Sequence, residues 1–179
     1  TEEEADTFAE TRGWRMKKDA DRGWRRVVPS PTPLRAVVGP TIRKLVEDNV
    51  IVVAGGGGGI PVYVDGSGYL EGIDAVIDKD LGSAVLADEI GASILCILTT
   101  VDRVALNFGT PDQQYLETVT LSEMKKHLAD GHFPEGSMGP KIRAAIRFLE
   151  QGGEMVAIAS LENARKAVLG EAGTRIVPD

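Results

Sequence analysis

The sequence is poor in residues that cross-link chains or bind zinc. Its 179 residues include one cysteine and two histidines. Cys96 has no internal disulfide partner, and its place in the apolar run 93–98 predicts a buried structural thiol. His127 and His132 lie five residues apart with no cysteine beside them. Neither is predicted to be a zinc ligand, and no protein-held metal is expected.

Basic charge and long apolar runs are also scarce. The net charge is −7 at pH 7, which argues against a nucleic-acid partner because nucleic acids bind basic surfaces. No apolar run approaches the roughly 20 residues of a membrane span, and no signal peptide is visible. We therefore expect no membrane partner and a cytoplasmic location. Because the chain begins at Thr1 rather than Met, a missing upstream segment is expected.

The N-terminal part differs in character from the rest. Short strands are predicted at residues 13–18 and 22–28, and a proline cluster at 29–33 cannot continue a helix or an inner strand. Residues 1–35 are therefore predicted to form a small protruding subdomain. Residues 36–179 are predicted to form one α/β domain.

In that domain, apolar strand-like runs alternate with helical patterns. Strands are predicted at residues 50–54, 93–98, 155–159 and 174–177. Helices are predicted over residues 80–91, after the capping box at 120–123, around 142–149, and over 161–169. This alternation predicts an α/β fold whose mostly parallel sheet is covered on both faces.

A run of five glycines, residues 55–59, follows the predicted strand 50–54. Glycine backbone lets a ligand approach closely and its amides can point at an anion. The run matches neither a P-loop nor a dinucleotide fingerprint, because Pro61 and an apolar run follow it. A phosphate-binding loop is the favoured interpretation and a flexible turn the alternative.

Two lysines stand where helices are predicted to begin. Lys79 lies between Asp78 and Asp80, so it can neutralise a phosphoryl group while a carboxylate holds it in place. The alternative is a capped helix with solvated charges. Lys141 follows Pro140 at a helix start, where the dipole disfavours a cation unless an anion binds there. The alternative is an exposed lysine.

Two further segments are candidate nucleotide contacts. The run 98–102 follows a predicted strand and either binds ribose or adenine or forms a turn. Residues 104–118 have no clear period and are predicted to form a loop. Long loops in α/β proteins often carry function.

Seven segments, spread along most of the chain, share one family's pattern. They are residues 25–31, 56–62, 75–81, 107–109, 131–133, 136–141 and 160–162. Together and in this order they resemble the carbamate kinases of the amino acid kinase superfamily. The resemblance implies an αβα sandwich, a homodimer, and in-line phosphoryl transfer between ATP and carbamate, giving ADP and carbamoyl phosphate. It implies Mg²⁺ as the ion that accompanies ATP, and a frequent role in arginine fermentation.

The resemblance also assigns residues. Lys79 and Lys141 would stabilise the transferring phosphoryl group, and Asp80 would orient both lysines. The nucleotide-binding residues would be Asp78, Thr99, Asp102, Asn107, Met138 and Gly139. The loop near the phosphoryl acceptor would contain Gly56, Gly57, Gly58 and Gly59. Residues 1–35 resemble the family's protruding lid.

The chain also departs from that family. The Gly-Gly-Asn and Asn-Gly-Pro-Gln loops, which hold phosphate and carbamate, do not occur among the 179 residues. Thr100, Ala105 and Asp21 stand where aspartate, tyrosine and glycine are usual. Two functions stay open: a carbamate kinase, or a catalytically inactive fragment that binds nucleotide or dimerises. Runs 78–80 and 137–141 disfavour another amino acid kinase, such as a uridylate or acetylglutamate kinase.

Overall fold

The computed structural model describes residues 1–19 and 23–179. The predicted strand start at Arg22 and the unusual Asp21 lie outside the described residues. The chain forms two compact units. The first contains Thr1–Pro31 and Ile60–Ile77, and the second contains Thr32–Gly59 and Asp78–Asp179. The sequence prediction divided the chain at residue 35 and did not group residues 60–77 with the N-terminal part.

The described residues of the first unit form a helix and two antiparallel strand pairs. The elements are α1 (Glu2–Arg12), β1 (Arg15–Lys18), β2 (Trp24–Val27), β3 (Val62–Val64) and β4 (Leu70–Gly72), with β1 paired to β2 and β3 to β4. The Arg26 guanidinium lies 4.6 Å from the centroid of the Trp14 ring and forms an ion pair with Asp74. Arg26 therefore links the N-terminal hairpin to the later segment of this unit.

The second unit contains most of the helices and a mixed sheet. Its elements are α2 (Gly39–Glu47), α3 (Lys79–Ile90), β5 (Ile94–Thr99), β6 (Ala105–Leu106), β7 (Gln114–Tyr115), β8 (Thr118–Thr120), α4 (Leu121–Ala129), α5 (Met138–Glu150), β9 (Met155–Ser160), a 3₁₀ turn (Leu161–Asn163), α6 (Ala164–Val168) and β10 (Thr174–Val177). In the described residues the sheet order is β5-β9-β10-β8. Strands β5 and β9 are parallel, as are β10 and β8, while β9 and β10 are antiparallel.

The alternation of side chains along β9 separates two cores. Val156 and Ile158 are fully buried in the larger core, which helices α3, α4 and α5 share. Ala157 and Ala159 point to the other face, where they pack with Ala167 of α6. Helices therefore cover both faces of the sheet, which confirms the predicted sandwich.

Local signals set several of the element boundaries. Asp78 caps α3 by accepting hydrogen bonds from two backbone amides of its first turn. Thr120 and Glu123 form the predicted capping box of α4. The predicted strands at 93–98, 155–159 and 174–177 are observed as β5, β9 and β10.

The predicted buried strand at residues 50–54 is wrong for the chain as described. These residues belong to no strand among the described residues, and the side chains of Ile51 and Val53 are 94% and 98% exposed. A β-strand needs hydrogen-bonding neighbours, so a β-branched run alone does not make one.

Two smaller predictions are also revised. The helix expected over residues 161–169 begins as a 3₁₀ turn and is α-helical only over Ala164–Val168. Cys96 is partly buried rather than fully buried, and burial raises the pKa of its thiol.

Candidate active site

A three-residue ion cluster joins two helix starts in the second unit. One carboxylate oxygen of Asp80 accepts a hydrogen bond from the Nζ atom of Lys141 at 2.9 Å and from that of Lys79 at 3.3 Å. The side chains of Lys141 and Asp80 are only 13% and 9% exposed, whereas that of Lys79 is 59% exposed. The structure therefore brings these three residues into contact, and Lys141 is the one of them that lines the cavity described below.

The fold brings the cluster together through the ends of two packed helices. The Asp78 cap fixes the first turn of α3, and that turn carries Lys79 and Asp80. Helix α5 begins at Met138, which places Lys141 in its first turn. Because both first turns lie at the same end of the packed pair, residues 61 positions apart form one ion pair.

A cavity of about 270 Å³ lies beside Lys141. Its polar lining residues are Thr99, Thr100, Arg103, His132, Ser137 and Lys141. Its apolar lining residues are Val101, Ala105, Phe108, Phe133, Pro134 and Met138. Apolar walls with a few convergent polar groups are typical of small-molecule sites.

The predicted nucleotide-binding residues are only partly brought together. Thr99 and Met138 line the cavity. Gly139 is not among the described lining residues, and a Cβ added there would lie 3.1 Å from the carbonyl oxygen of Pro134. The observed contacts of Asp78 are those of a helix cap. Asn107 adopts a left-handed conformation (φ 51°) and accepts a hydrogen bond from the Thr110 hydroxyl through its own carbonyl.

Asp102 belongs to a polar cluster at the ends of β5 and β9. Hydrogen bonds from the Ser160 hydroxyl and from the Asn163 amide hold the pKa of Asp102 below its ordinary value. The Asn163 amide nitrogen donates to Asp102 at 3.0 Å and to Ser160 at 3.1 Å. Asp102 is therefore held as a charged group beside the strand end that carries Thr99.

The glycine loop does not line this cavity among the described residues. Gly55, Gly56, Gly58 and Gly59 all have positive φ, and the Gly58 amide donates to the Gly55 carbonyl at 2.9 Å. The loop is thus a left-handed turn that other residues would not readily adopt.

Sequence reasoning missed several of the cavity residues. It did not single out Arg103, Phe108, His132 or Ser137, all of which line the cavity. The runs 107–109, 131–133 and 136–141 belonged to the family pattern, but nothing in their composition distinguished a cavity wall from a loop.

A sequence profile of the amino acid kinase family matches residues 5–160 of the chain. The chain belongs to the amino acid kinase family. Carbamate kinase of Thermococcus kodakarensis is 52% identical over 176 residues, which cover 98% of this chain and 56% of that protein. Carbamate kinase of Clostridium perfringens is 49% identical over 178 residues, which cover 99% of this chain and 56% of that protein.

A solved structure extends this likeness within the amino acid kinase family. Carbamate kinase from Giardia lamblia bound to AMP-PNP is 46% identical, with a TM-score of 0.91 over 100% of this chain and 57% of that chain. The chain therefore spans a little over half the length of these relatives. The resemblance to carbamate kinases and the predicted fold are both confirmed. In the described residues no helix is both long and apolar enough to cross a membrane.

Proposed function

We propose that the protein acts as a carbamate kinase, transferring a phosphoryl group reversibly between ATP and carbamate to give ADP and carbamoyl phosphate. The observation that carries the proposal is the ion cluster of Asp80, Lys79 and Lys141. The cluster lies in a kinase-family chain that is 52% identical to one carbamate kinase. Neither the cluster nor the identity favours an inactive nucleotide-binding fragment over this function.

The cluster carries an excess of positive charge. Two ammonium groups share one carboxylate, which leaves a formal charge of +1 when all three groups are ionised. Because Lys141 and Asp80 are nearly buried, water screens their charges weakly. A transferring phosphoryl group spreads negative charge over its outer oxygens, and cations already held in place stabilise that charge.

The two lysines differ in what they can do. Lys141 is held close to Asp80 and lines the cavity, so its ammonium group is fixed where a phosphoryl group would sit. Lys79 has a longer hydrogen bond and a more exposed side chain, so it is able to move with the substrate. Asp80 would orient both lysines and transfer no proton itself.

The cavity is proposed to hold the nucleotide. Met138 and Phe108 supply apolar surface for a base, and Thr99 supplies a hydroxyl at the strand end. Asp102 is held as a carboxylate near that strand end, where ribose hydroxyls would find an acceptor. Asp78, Asn107 and Gly139 are proposed to shape the surrounding turns.

Magnesium is proposed to enter with ATP as part of the substrate. No carboxylate lines the cavity among the described residues, and the Asp80 oxygen already accepts from two ammonium groups. The described lining of this cavity therefore offers Mg²⁺ no carboxylate ligand. Mg²⁺ is commonly held largely by substrate phosphates and water.

Four further assignments belong to the proposal. They are the homodimer, the cytoplasmic location, residues 1–35 as a lid, and the contact of Gly56, Gly57, Gly58 and Gly59 with the phosphoryl acceptor. The positive φ angles of Gly56, Gly58 and Gly59 support the last of these, because such backbone lets a ligand approach closely.

The test is Lys141→Ala in a polypeptide that spans the full family length. Lys141 meets charge that develops in the transition state, so its loss should lower turnover on the order of 10²–10³-fold. The Michaelis constant for ATP should change much less. Steady-state kinetics of ATP formation from ADP and carbamoyl phosphate measures both quantities.

Lys166→Ala is the matched control. Lys166 is an exposed lysine of α6 outside the cavity lining, so its removal should leave both constants unchanged. A raised Michaelis constant with an unchanged turnover number in Lys141→Ala would contradict the role proposed for Lys141.

A further inference from the structure

Both histidines of the chain meet at the end of α4, together with Asp130. One ligand atom from each of His127, Asp130 and His132 lies within 4.8 Å of the others. The two imidazole rings have centroids 5.7 Å apart and stand nearly perpendicular, at 76°. Both histidines are partly exposed and Asp130 is exposed, so solvent can reach the cluster.

The backbone presets this cluster through a Schellman motif. The amide of Gly131 donates to the carbonyl of Leu128 at 3.1 Å, and the amide of His132 donates to that of His127 at 3.3 Å. Gly131 has a φ of 79°, which this motif requires at the turn. The motif brings the residue after the turn back against the last helical turn. At that contact, where apolar pairs are common, this chain has two histidines.

The electrostatic setting also favours a cation. The cluster lies at the C-terminus of α4, where the helix dipole carries about half a negative charge. Asp130 is the C-cap residue and adds a carboxylate. A neutral imidazole offers a nitrogen lone pair to a metal ion.

We propose that His127, Asp130 and His132 form a binding site for one divalent transition-metal ion of the zinc class. Two nitrogens and one carboxylate oxygen suit zinc, nickel or cobalt, with water in the remaining positions. Tetrahedral ligands around zinc lie about 3.4 Å apart. The observed separations of up to 4.8 Å must therefore shorten by about 1.4 Å, which rotation of the partly exposed histidines and the exposed Asp130 side chain would supply.

The ligands of this site differ from those of the Mg²⁺ ion proposed to enter with ATP. Mg²⁺ prefers oxygen ligands, whereas two of the three ligands here are imidazole nitrogens. The sequence expectation of no zinc site considered the histidine pair alone. Its spacing becomes informative only when Gly131 is recognised as the turn that reverses the chain and Asp130 is counted as the third ligand. The site does not rest on the kinase proposal.

Titration of the metal-free protein with ZnCl₂ by calorimetry tests the proposal. We expect one zinc ion per chain. His127→Gln, Asp130→Asn and His132→Gln should each weaken binding by more than the roughly 10–100-fold that loss of an outer-shell partner costs. Co²⁺ should give an absorption band typical of tetrahedral nitrogen and oxygen ligands. His127→Gln and His132→Gln should each abolish that band.

Two controls separate this site from other ligands. Cys96→Ser removes the chain's only thiol and should leave the affinity unchanged. Asp112→Asn removes an exposed acid elsewhere and should also leave it unchanged. If a variant unfolds, the unsubstituted protein still tests the proposed site, because bound Co²⁺ should shift the nuclear magnetic resonance signals of both histidine rings. No zinc uptake, or equal affinity in the double variant His127→Gln/His132→Gln, overturns the proposal.

Discussion

Strand β9 and residues 50–54 contain similar apolar runs but have opposite environments. In β9, Val156 and Ile158 are fully buried, with β5 on one side and β10 on the other. In residues 50–54 the side chains of Ile51 and Val53 are almost fully exposed. Composition does not separate the two segments. What separates them is whether the described residues supply a neighbouring strand.

The comparison shows that an apolar, β-branched run favours burial but does not determine whether the segment pairs into a sheet. β-Propensity measures how well side chains fit a pleated, covered surface, so it has no effect without that surface. The chain spans 56% of the length of a relative that is 52% identical to it. Residues 50–54 therefore have the composition of a buried strand but no neighbouring strand among the described residues.

The largest expected effect concerns activity. The 179-residue polypeptide should form no carbamoyl phosphate, even if it binds ATP. Phosphoryl transfer depends on positioning and charge stabilisation. The Gly-Gly-Asn and Asn-Gly-Pro-Gln runs, which the family resemblance implies for binding phosphate and carbamate, do not occur in these 179 residues. The measurement is ATP formation from ADP and carbamoyl phosphate by the folded polypeptide. Turnover equal to that of a full-length carbamate kinase would contradict this prediction. Residues 50–54 would then need no more neighbouring structure for activity than β9 does.

The next prediction compares two isoleucines. In the 179-residue polypeptide, Ile158→Ala should lower the free energy of unfolding by about 2–5 kcal/mol, because it leaves a cavity in a closed core. Ile51→Ala should change it by less than about 0.5 kcal/mol, because the side chain is exposed. Urea denaturation measures both values.

The same pair sharpens the comparison in a polypeptide of full family length. If added residues cover residues 50–54, the cost of Ile51→Ala should rise to about 2 kcal/mol or more. An unchanged small cost would mean that the exposure of Ile51 is intrinsic to the fold.

A smaller effect is expected from two glycines. A Cβ atom added at Gly153 would lie 2.2 Å from the ring of Phe148, which is fully buried and cannot move aside. Gly153→Ala should therefore destabilise the protein by about 1–3 kcal/mol. Gly57 has no atom within 4 Å of an added Cβ and no positive φ. Gly57→Ala should thus be neutral or slightly stabilising in the same denaturation experiment, and equal costs would contradict the contrast.

The smallest effect concerns acid stability. The pKa of Asp102 is lowered by hydrogen bonds from Ser160 and Asn163. A carboxyl group with a lowered pKa stabilises the folded state above its unfolded pKa, and that contribution is lost as the pH falls through the folded pKa. The free energy of unfolding should therefore fall more steeply below about pH 4 in the unsubstituted protein than in Asp102→Asn. Asn163→Ala should give an intermediate slope, and parallel curves for all three proteins would contradict the assignment.

Local signals in the sequence determined much of the fold. The Asp78 cap, the Thr120–Glu123 capping box and the strand at 155–159 were predictable because each depends on residues within a few positions of one another. The lysines at the two helix starts were identifiable for the same reason. The cluster at the end of α4 was also local in origin, although its meaning depended on recognising the turn at Gly131.

Tertiary structure decided what residues distant in the chain do together. The contact of Lys141 with Asp80 spans 61 positions and follows from the packing of α3 against α5, which no local pattern encodes. The cavity joins the end of β5 to the start of α5 in the same way. The exposure of residues 50–54 is also a tertiary result. A strand is completed by its neighbours, and a sequence run specifies only one side of each hydrogen-bonded pair.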